Sequence, residues 1–305
     1  MGRRVYIQEV APRDGFQAES MFIETGRKVA LIDALSRCGL AKIEVTSFTS
    51  PRAIPALRDA EDVMARITRV PGVSYTVLVP NVRGGERAAA CRPDEFNLVM
   101  SASEAHNASN LRLTREQSFS ELERVIALAH AHGIAVNVSL SCSFGCPFEG
   151  DVPADAVLDW CRRFAELGVA GMSLCDTTGM AYPTQVRALC SEFRSRFPAV
   201  QLTLHVHNTR GMGLANALEA LAAGVDRFDA SLGGLGGCPY APGATGNVCT
   251  EDLVHMLDLI GCATGVDLPA LLDCSRQLPA LVGHDVPGQV VKAGRRLDPP
   301  RAATA

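Results

Sequence analysis

Residues 171–231 read GMSLCDTTGMAYPTQVRALCSEFRSRFPAVQLTLHVHNTRGMGLANALEALAAGVDRFDAS. Three short β-forming runs, at 171–175, 202–207 and 227–231, alternate with stretches of helical period at 183–197 and 213–223. Pro183 stands where a first helical turn tolerates it, and Gly224 where a helix would end. A strand–helix–strand–helix–strand series with connections this short is the signature of a parallel sheet covered by helices. The same alternation extends back to the start of the chain. Strands are predicted at 5–10, 42–46, 74–79, 95–100 and 135–141, and helices at 25–37, 115–131 and 153–167. Gly39, Gly133 and Gly168 follow these helices, and Pro153 opens the last of them. Eight strands, most followed by a helix, within about 260 residues predict an α/β fold of the (β/α)8 TIM-barrel type. A doubly wound sheet is the competing architecture. It normally carries a glycine-rich loop after its first strand, whereas here Ala11-Pro12-Arg13-Asp14-Gly15 follows. The expected organisation is one barrel domain over residues 1–305, with a helical extension over about 260–293 and a frayed Pro/Ala/Arg-rich tail at 294–305.

Composition narrows the function classes. The chain has 305 residues, 47 % apolar and 20 % charged, with 29 basic and 33 acidic side chains and a net charge of −4. It is too apolar for a disordered chain and lacks the basic excess of a nucleic-acid binder. No apolar run approaches the length of about 18 residues that a membrane span needs. Eleven cysteines, an odd number, occur with no secretory signal in MGRRVYIQEV. Reduced thiols and a cytoplasmic enzyme are therefore expected.

In a barrel, catalytic groups gather at the C-terminal ends of the strands. The unusual polar residues of this chain fall there. Strand 1 leads into Arg13 and Asp14, strand 6 into Asp176 and Thr177, and strand 7 contains His205-Val206-His207. Residues i and i+2 of a strand share a face. A lone strand histidine is usually a satisfied core residue, but two on one face can grip one cation. Asp14 and the amide oxygen of Asn247 are the expected further ligands. Nitrogen and oxygen donors of this kind suit an octahedral divalent cation, Mg²⁺ or Mn²⁺, and also admit Zn²⁺. If Arg13 and Asp14 lay on a strand they would point to opposite faces, one towards the metal and the other over the pocket. Glu44, framed by Ile43 and Val45, is expensive to bury alone. It is read either as half of a buried ion pair, with Arg13 as the natural partner, or as a group near the metal. Asp176 is read either as a cap or as a catalytic acid/base.

Among the cysteines, Cys38, Cys161, Cys190, Cys262 and Cys274 follow helical or apolar patterns. Cys142 and Cys146 lack the second ligand pair a zinc site would carry, and read as structural. Cys238 differs: it stands in a glycine-rich loop with Pro239 and Tyr240. A mobile loop could bring its thiol into the pocket as a proton donor or acceptor.

Several motifs together resemble the 3-hydroxy-3-methylglutaryl-CoA lyases, within a wider group of barrel metallolyases and Claisen-condensing synthases. They are IQEVAPRDGFQAE (7–19), KIEVTSFTSP (42–51), SCSFGCPFEG (141–150), SLCDTTG (173–179), LTLHVHNTRGMGLANALEAL (202–221) and, most specific, GGLGGCPYAPGATGNVCTEDLV (233–254). The resemblance covers roughly residues 5–270. It implies a TIM barrel and a divalent-metal-dependent lyase that cleaves 3-hydroxy-3-methylglutaryl-CoA to acetyl-CoA and acetoacetate. Asp14, His205, His207 and Asn247 would be its metal ligands. Arg13 would neutralise the thioester enolate, Glu44 would support it, Asp176 would be the acid/base and Cys238 the loop thiol. Asn110 and Thr177 would touch the substrate. The resemblance also implies a homodimer acting on an acyl-CoA thioester, without nucleic acid or membrane, in leucine breakdown.

The chain departs from the family pattern at several points. The first motif commonly reads G-P-R-D-G-L-Q-N-E, against Ala11, Phe16 and Ala18 here, and Ser20 stands where a basic residue is common. The family's R-G-Y-V-S is replaced by Asn137-Val138-Ser139-Leu140-Ser141. These departures bear on the acyl group and leave a lyase for a related branched 3-hydroxyacyl-CoA as an alternative. Separate competing readings are a synthase joining acetyl-CoA to a 2-oxo acid and a non-catalytic metal or thioester binder.

Overall fold

A computed structural model of the chain describes residues 2–237 and 246–298. Eight parallel strands close into a barrel in sequence order: β1 Tyr6–Glu9, β2 Lys42–Ser47, β3 Ser74–Leu78, β4 Glu95–Ser101, β5 Ala135–Ser141, β6 Gly171–Asp176, β7 Gln201–Val206 and β8 Arg227–Ala230. The predicted (β/α)8 barrel is the observed fold, and each predicted strand falls on an observed one with ends shifted by at most a residue or so. β1 and β8 pair from Tyr6–Arg227 to Glu9–Ala230, which completes the ring.

Alternation along the strands sorts the side chains into two environments. Ile43, Val45, Phe96, Leu98, Val138, Leu174, Leu204 and Phe228 face outward and are buried beneath helices such as Thr25–Leu35, Arg115–Ala131, Ala154–Glu166 and Pro183–Arg196. This annulus is the apolar core; each large side chain fully buried there contributes about 1.5–3 kcal/mol. The inward positions are hydrophilic instead. Gln8, Lys42, Glu44, Thr76, Asn97 and Ser173 line a narrow cavity along the barrel axis. Barrel interiors are more often filled by Val, Ile and Leu, so these polar side chains must satisfy one another. Lys42 pairs with Glu95, whose carboxylate also accepts the Thr76 hydroxyl.

Local sequence signals account for the helix ends. Thr114 and Gln117 form a reciprocal capping box at the start of Arg115–Ala131, and Gly133 closes that helix with φ +66°. An additional helix, Glu104–Leu111, follows β4, with the Ser103 hydroxyl accepting the His106 amide. After the barrel, Leu268–Ser275 packs on helices Thr250–Leu259 and Thr25–Leu35, and two shorter helices, Leu278–Val282 and Val290–Ala293, follow. Among the described residues no helix is long and apolar enough to cross a membrane. The expected fraying at 294–305 falls largely on residues 299–305, which lie outside the described residues.

Candidate active site

β1 does not continue through the Arg13–Asp14 pair. After Val10 the chain turns into a π-helical turn, Ala11–Gly15, in which the amides of Asp14 and Gly15 donate to Val10 O at 2.7 and 3.4 Å. This corrects the opposite-face reading of Arg13 and Asp14. On a helical turn the two side chains approach each other, and Arg13 Nη1 donates to Asp14 Oδ1 at 2.7 Å. On its other side Arg13 grips Glu44, with Nε and Nη2 each 2.6 Å from Oε2. The ion-pair reading of Glu44 therefore holds, and the pair reaches into the site. Three of the five guanidinium N–H bonds are directed at carboxylates, which leaves two for a ligand oxygen. Burial works against the Arg13 charge, but Glu44 and Asp14 overcome it and hold the guanidinium firmly protonated. Burial pushes the Glu44 pKa up, with Arg13 and Asn97 opposing it.

His205 and His207 are buried at the end of β7, with ring centroids 5.4 Å apart. His205 Nδ1 faces Asp229 Oδ2 at 3.2 Å, which leaves Nε2 for a ligand, the usual arrangement of a metal-binding histidine. Burial alone would lower the His205 pKa, but the Asp229 hydrogen bond and the charges of Asp229 and Asp14 carry it upward. Burial and its neighbour His205 push His207 down to about 4, so its ring keeps a lone pair at neutral pH. Asn247 reaches this place through the backbone. Val248 N donates to Val206 O, Asn208 N to Gly246 O and Ser231 N to Val248 O, each at 3.0 Å. This segment therefore lies between the ends of β7 and β8, with Asn247 bridged to His207. The Asn247 carboxamide donates to Asp14 Oδ2 at 2.6 Å and to Leu235 O at 3.0 Å. Gly236 covers the pair with φ +98°, and a Cβ there would stand 2.5 Å from Asn247 Nδ2, so only glycine fits.

The donor set fits a cation. Asp14, His205 and His207 each offer a ligand atom within 4.8 Å of the others, the one such group among the described residues. His207 Nδ1 and Asn247 Oδ1 are buried with no hydrogen-bond partner, a condition that costs about 1–3 kcal/mol per group when left unfilled. Counting carboxylates as ionised and histidines as neutral, Asp14, Glu44 and Asp229 around one guanidinium leave two net negative charges. A divalent ion would balance them.

Asp176 ends β6 and is buried; its Oδ1 accepts the Met180 amide at 2.7 Å. It therefore ties a turn rather than capping the helix Pro183–Arg196, which begins later. Burial raises its pKa to about 6, against the backbone amides of Ala181 and Met180 and the charges of His205 and Arg210. The neighbouring Thr177 hydroxyl accepts the Cys142 amide at 3.0 Å. Asn110 is exposed near the end of helix Glu104–Leu111, and no described contact joins it to this cluster. Cys142 and Cys146 are buried, and the Cys146 thiol lies 2.9 Å from the Ser103 hydroxyl, in keeping with a structural reading. Cys238 lies outside the described residues.

Sequence reasoning missed four groups that the fold brings here. Asp229 orients His205, and Asn97 bonds Glu44. Glu9 accepts the amides of Ala11 and Leu232 on Oε1 and the Thr250 hydroxyl on Oε2, each at 2.8 Å. Glu251 accepts the Gly233 amide and the Ser275 hydroxyl. These last two carboxylates secure the Arg13–Asp14 turn and the chain on both sides of residues 238–245. Burial pushes Glu9 up to about 8. Glu9 lacked the signal that marked Glu44, because polar Gln8 precedes it where Glu44 stands between Ile43 and Val45.

The family model described as HMGL-like matches residues 4–278. A hydroxymethylglutaryl-CoA lyase of Bacillus subtilis is 45 % identical over 287 residues, covering 94 % of this chain and 96 % of that one. An (R)-citramalyl-CoA lyase of Chloroflexus aurantiacus is 41 % identical, covering 95 % of each chain. Among solved structures, an HMG-CoA lyase from Acinetobacter baumannii, in complex with coenzyme A and 3-methylmalate, superimposes with a TM-score of 0.93. It is 47 % identical, and the match covers 98 % of both chains.

Proposed function

The chain belongs to the HMGL-like family, and on that premise we propose that it is a divalent-metal-dependent carbon–carbon lyase cleaving 3-hydroxy-3-methylglutaryl-CoA to acetyl-CoA and acetoacetate. The observation that carries this reading is the Asp14–His205–His207 group, with both histidines buried and Asp14 half-buried, and the Arg13–Glu44 ion pair against it. Asp14, His205, His207 and the Asn247 carboxamide would hold Mg²⁺ or Mn²⁺, and such an ion supplies Lewis-acid polarisation that lowers the pKa of a hydroxyl.

The protein's own groups do the rest. Asp176 takes the proton of the 3-hydroxyl. The bond between carbons 2 and 3 breaks, its electron pair passes to carbon 2, and the hydroxyl carbon becomes the ketone of acetoacetate. The remaining fragment is the enolate of acetyl-CoA. Arg13 meets the negative charge that grows on the thioester oxygen, where a fixed buried cation acts most strongly. Cys238 returns a proton to carbon 2; a thiol keeps its proton at neutral pH, where an ordinary carboxylic acid does not. Thr177 and Asn110 contribute substrate contacts.

Asp176 sets the expected pH dependence. Its pKa, raised by burial to about 6, leaves the base form dominant at neutral pH. Protonation below that value removes the base, so kcat should be level above pH 7 and fall about tenfold per unit below about pH 6. A kcat–pH profile checks this, and Asp176→Asn should lose most of the activity together with the acid limb.

The reading is tested with the purified protein and a panel of thioesters that includes 3-hydroxy-3-methylglutaryl-CoA, its longer 3-alkyl homologues and (R)-citramalyl-CoA. The last is included because a citramalyl-CoA lyase resembles this chain almost as closely as the hydroxymethylglutaryl-CoA lyases do. Acetyl-CoA release that stops with EDTA and returns with excess Mg²⁺ is expected. Absent or chelator-insensitive activity across the panel overturns the proposal. Condensation of acetyl-CoA with a 2-oxo acid, read as free CoA, would mark a synthase instead.

A further inference from the structure

Glu44 divides its carboxylate between two donors. Oε2 takes Arg13, while Oε1 accepts Asn97 Nδ2 at 2.7 Å. Asn97 is itself held from behind: its Oδ1 accepts Asn137 Nδ2 at 3.0 Å and the Ser139 hydroxyl at 2.8 Å. Asn137 Nδ2 also reaches the Ser173 hydroxyl at 3.1 Å. Glu44, Asn97, Asn137, Ser139 and Ser173 come from β2, β4, β5 and β6 and are all buried inside the barrel. The carboxamide can lie only one way round: its oxygen faces two donors and its nitrogen a carboxylate.

We propose that Asn97 is a positioning residue for Arg13, acting through Glu44: by holding Oε1 it aims Oε2, and with it the guanidinium, at the thioester oxygen. This rests on the lyase reading above. The terminal torsion of a glutamate is broad, so a carboxylate tied by one oxygen can swing. Tied by both, it gives Arg13 a fixed anchor. The network also gives a role to the departure from the family pattern on β5. Asn137 and Ser139 stand where arginine and tyrosine are common, and both donate to Asn97. Their short side chains leave room on the barrel axis for the Asn97 carboxamide.

Asn97→Leu keeps the volume and removes the donor. Misplacing a catalytic group by about 1 Å costs about 100-fold, so kcat should fall 10- to 100-fold while KM stays within about threefold. The structural readout is the Arg13 Nε–H resonance, assigned by its loss in Arg13→Lys. In the wild type it should be exchange-protected and shifted downfield by the charged hydrogen bond; in Asn97→Leu it should move upfield or vanish by exchange. If Asn97→Leu fails to fold, Ser139→Ala, which does not touch Glu44, should give the same shift in the same direction and a kcat loss of about two- to fivefold. An unmoved resonance, a kcat within twofold of wild type, or a KM rise equal to the kcat loss overturns the inference. A wild-type protein inactive on the whole thioester panel overturns the lyase reading instead, and the resonance then decides the network alone.

Discussion

Arg13→Gln is expected to lower kcat for thioester cleavage by about a thousandfold or more, with KM changed only severalfold. The thioester oxygen carries little charge in the bound substrate and gains it as the bond between carbons 2 and 3 breaks. A cation beside that oxygen therefore acts mainly on the transition state. Arg13 is suited to this because it is buried, held protonated, and pinned from two sides by Glu44 and Asp14. Glutamine can still donate to Glu44, so the barrel should fold. The Glu44 carboxyl, whose pKa burial already raises, would take up a proton once its cation is gone. Arg13→Lys should rescue little, since an ammonium cannot span both carboxylates as the planar fork does. Steady-state kinetics with a thermal melt on each variant checks this. A KM increase with kcat intact would assign Arg13 to ground-state binding.

The legible part of this molecule was periodic or local. Strand and helix periods predicted the barrel, because each unit repeats the same alternation. His205 and His207 could be paired from spacing alone, since i and i+2 share a face on any strand. The Arg13–Asp14 geometry was not legible, because the strand period ends at Val10 and nothing in Ala11–Gly15 announces a π-helical turn. The polar barrel interior was hidden for another reason. Glu95, Asn97, Ser139 and Ser173 sit at period two within apolar strands, a pattern equally suited to a solvated face. Only closure of the ring turns that face inward. The partners of Glu9 and His205 lie in distant parts of the chain, Leu232 and Asp229 respectively, and sequence spacing carries no information about such pairs. Departures at Asn137 and Ser139 were legible as differences, but their common partner Asn97 was not.

Asp14 should be the residue whose loss most weakens metal binding. It is the one carboxylate in the ligand group, and it joins that group to Arg13. Oδ1 accepts Arg13 and Gln17 at 2.7 and 3.1 Å, and Oδ2 accepts the Asn247 amide at 2.6 Å. Removing an outer partner of a metal ligand typically costs 10- to 100-fold in affinity. Removing Asp14 takes away a ligand and its charge, and it frees Arg13 and Asn247 as well. Asp14→Ala should therefore weaken Mn²⁺ or Mg²⁺ binding by about 100-fold or more, read by titration calorimetry or by Mn²⁺ resonance without substrate. Asp14→Asn separates charge from shape. It fills the same space but presents an N–H towards neighbours that are themselves donors, so it should recover little of the affinity. Unchanged binding in both variants would mean that the cation sits elsewhere, and the charge argument runs against that. Arg13 alone cannot neutralise Asp14, Glu44 and Asp229 together; a proton on His205, whose pKa Asp229 and Asp14 raise, supplies part of the missing charge, and a cation held by Asp14 would supply the rest.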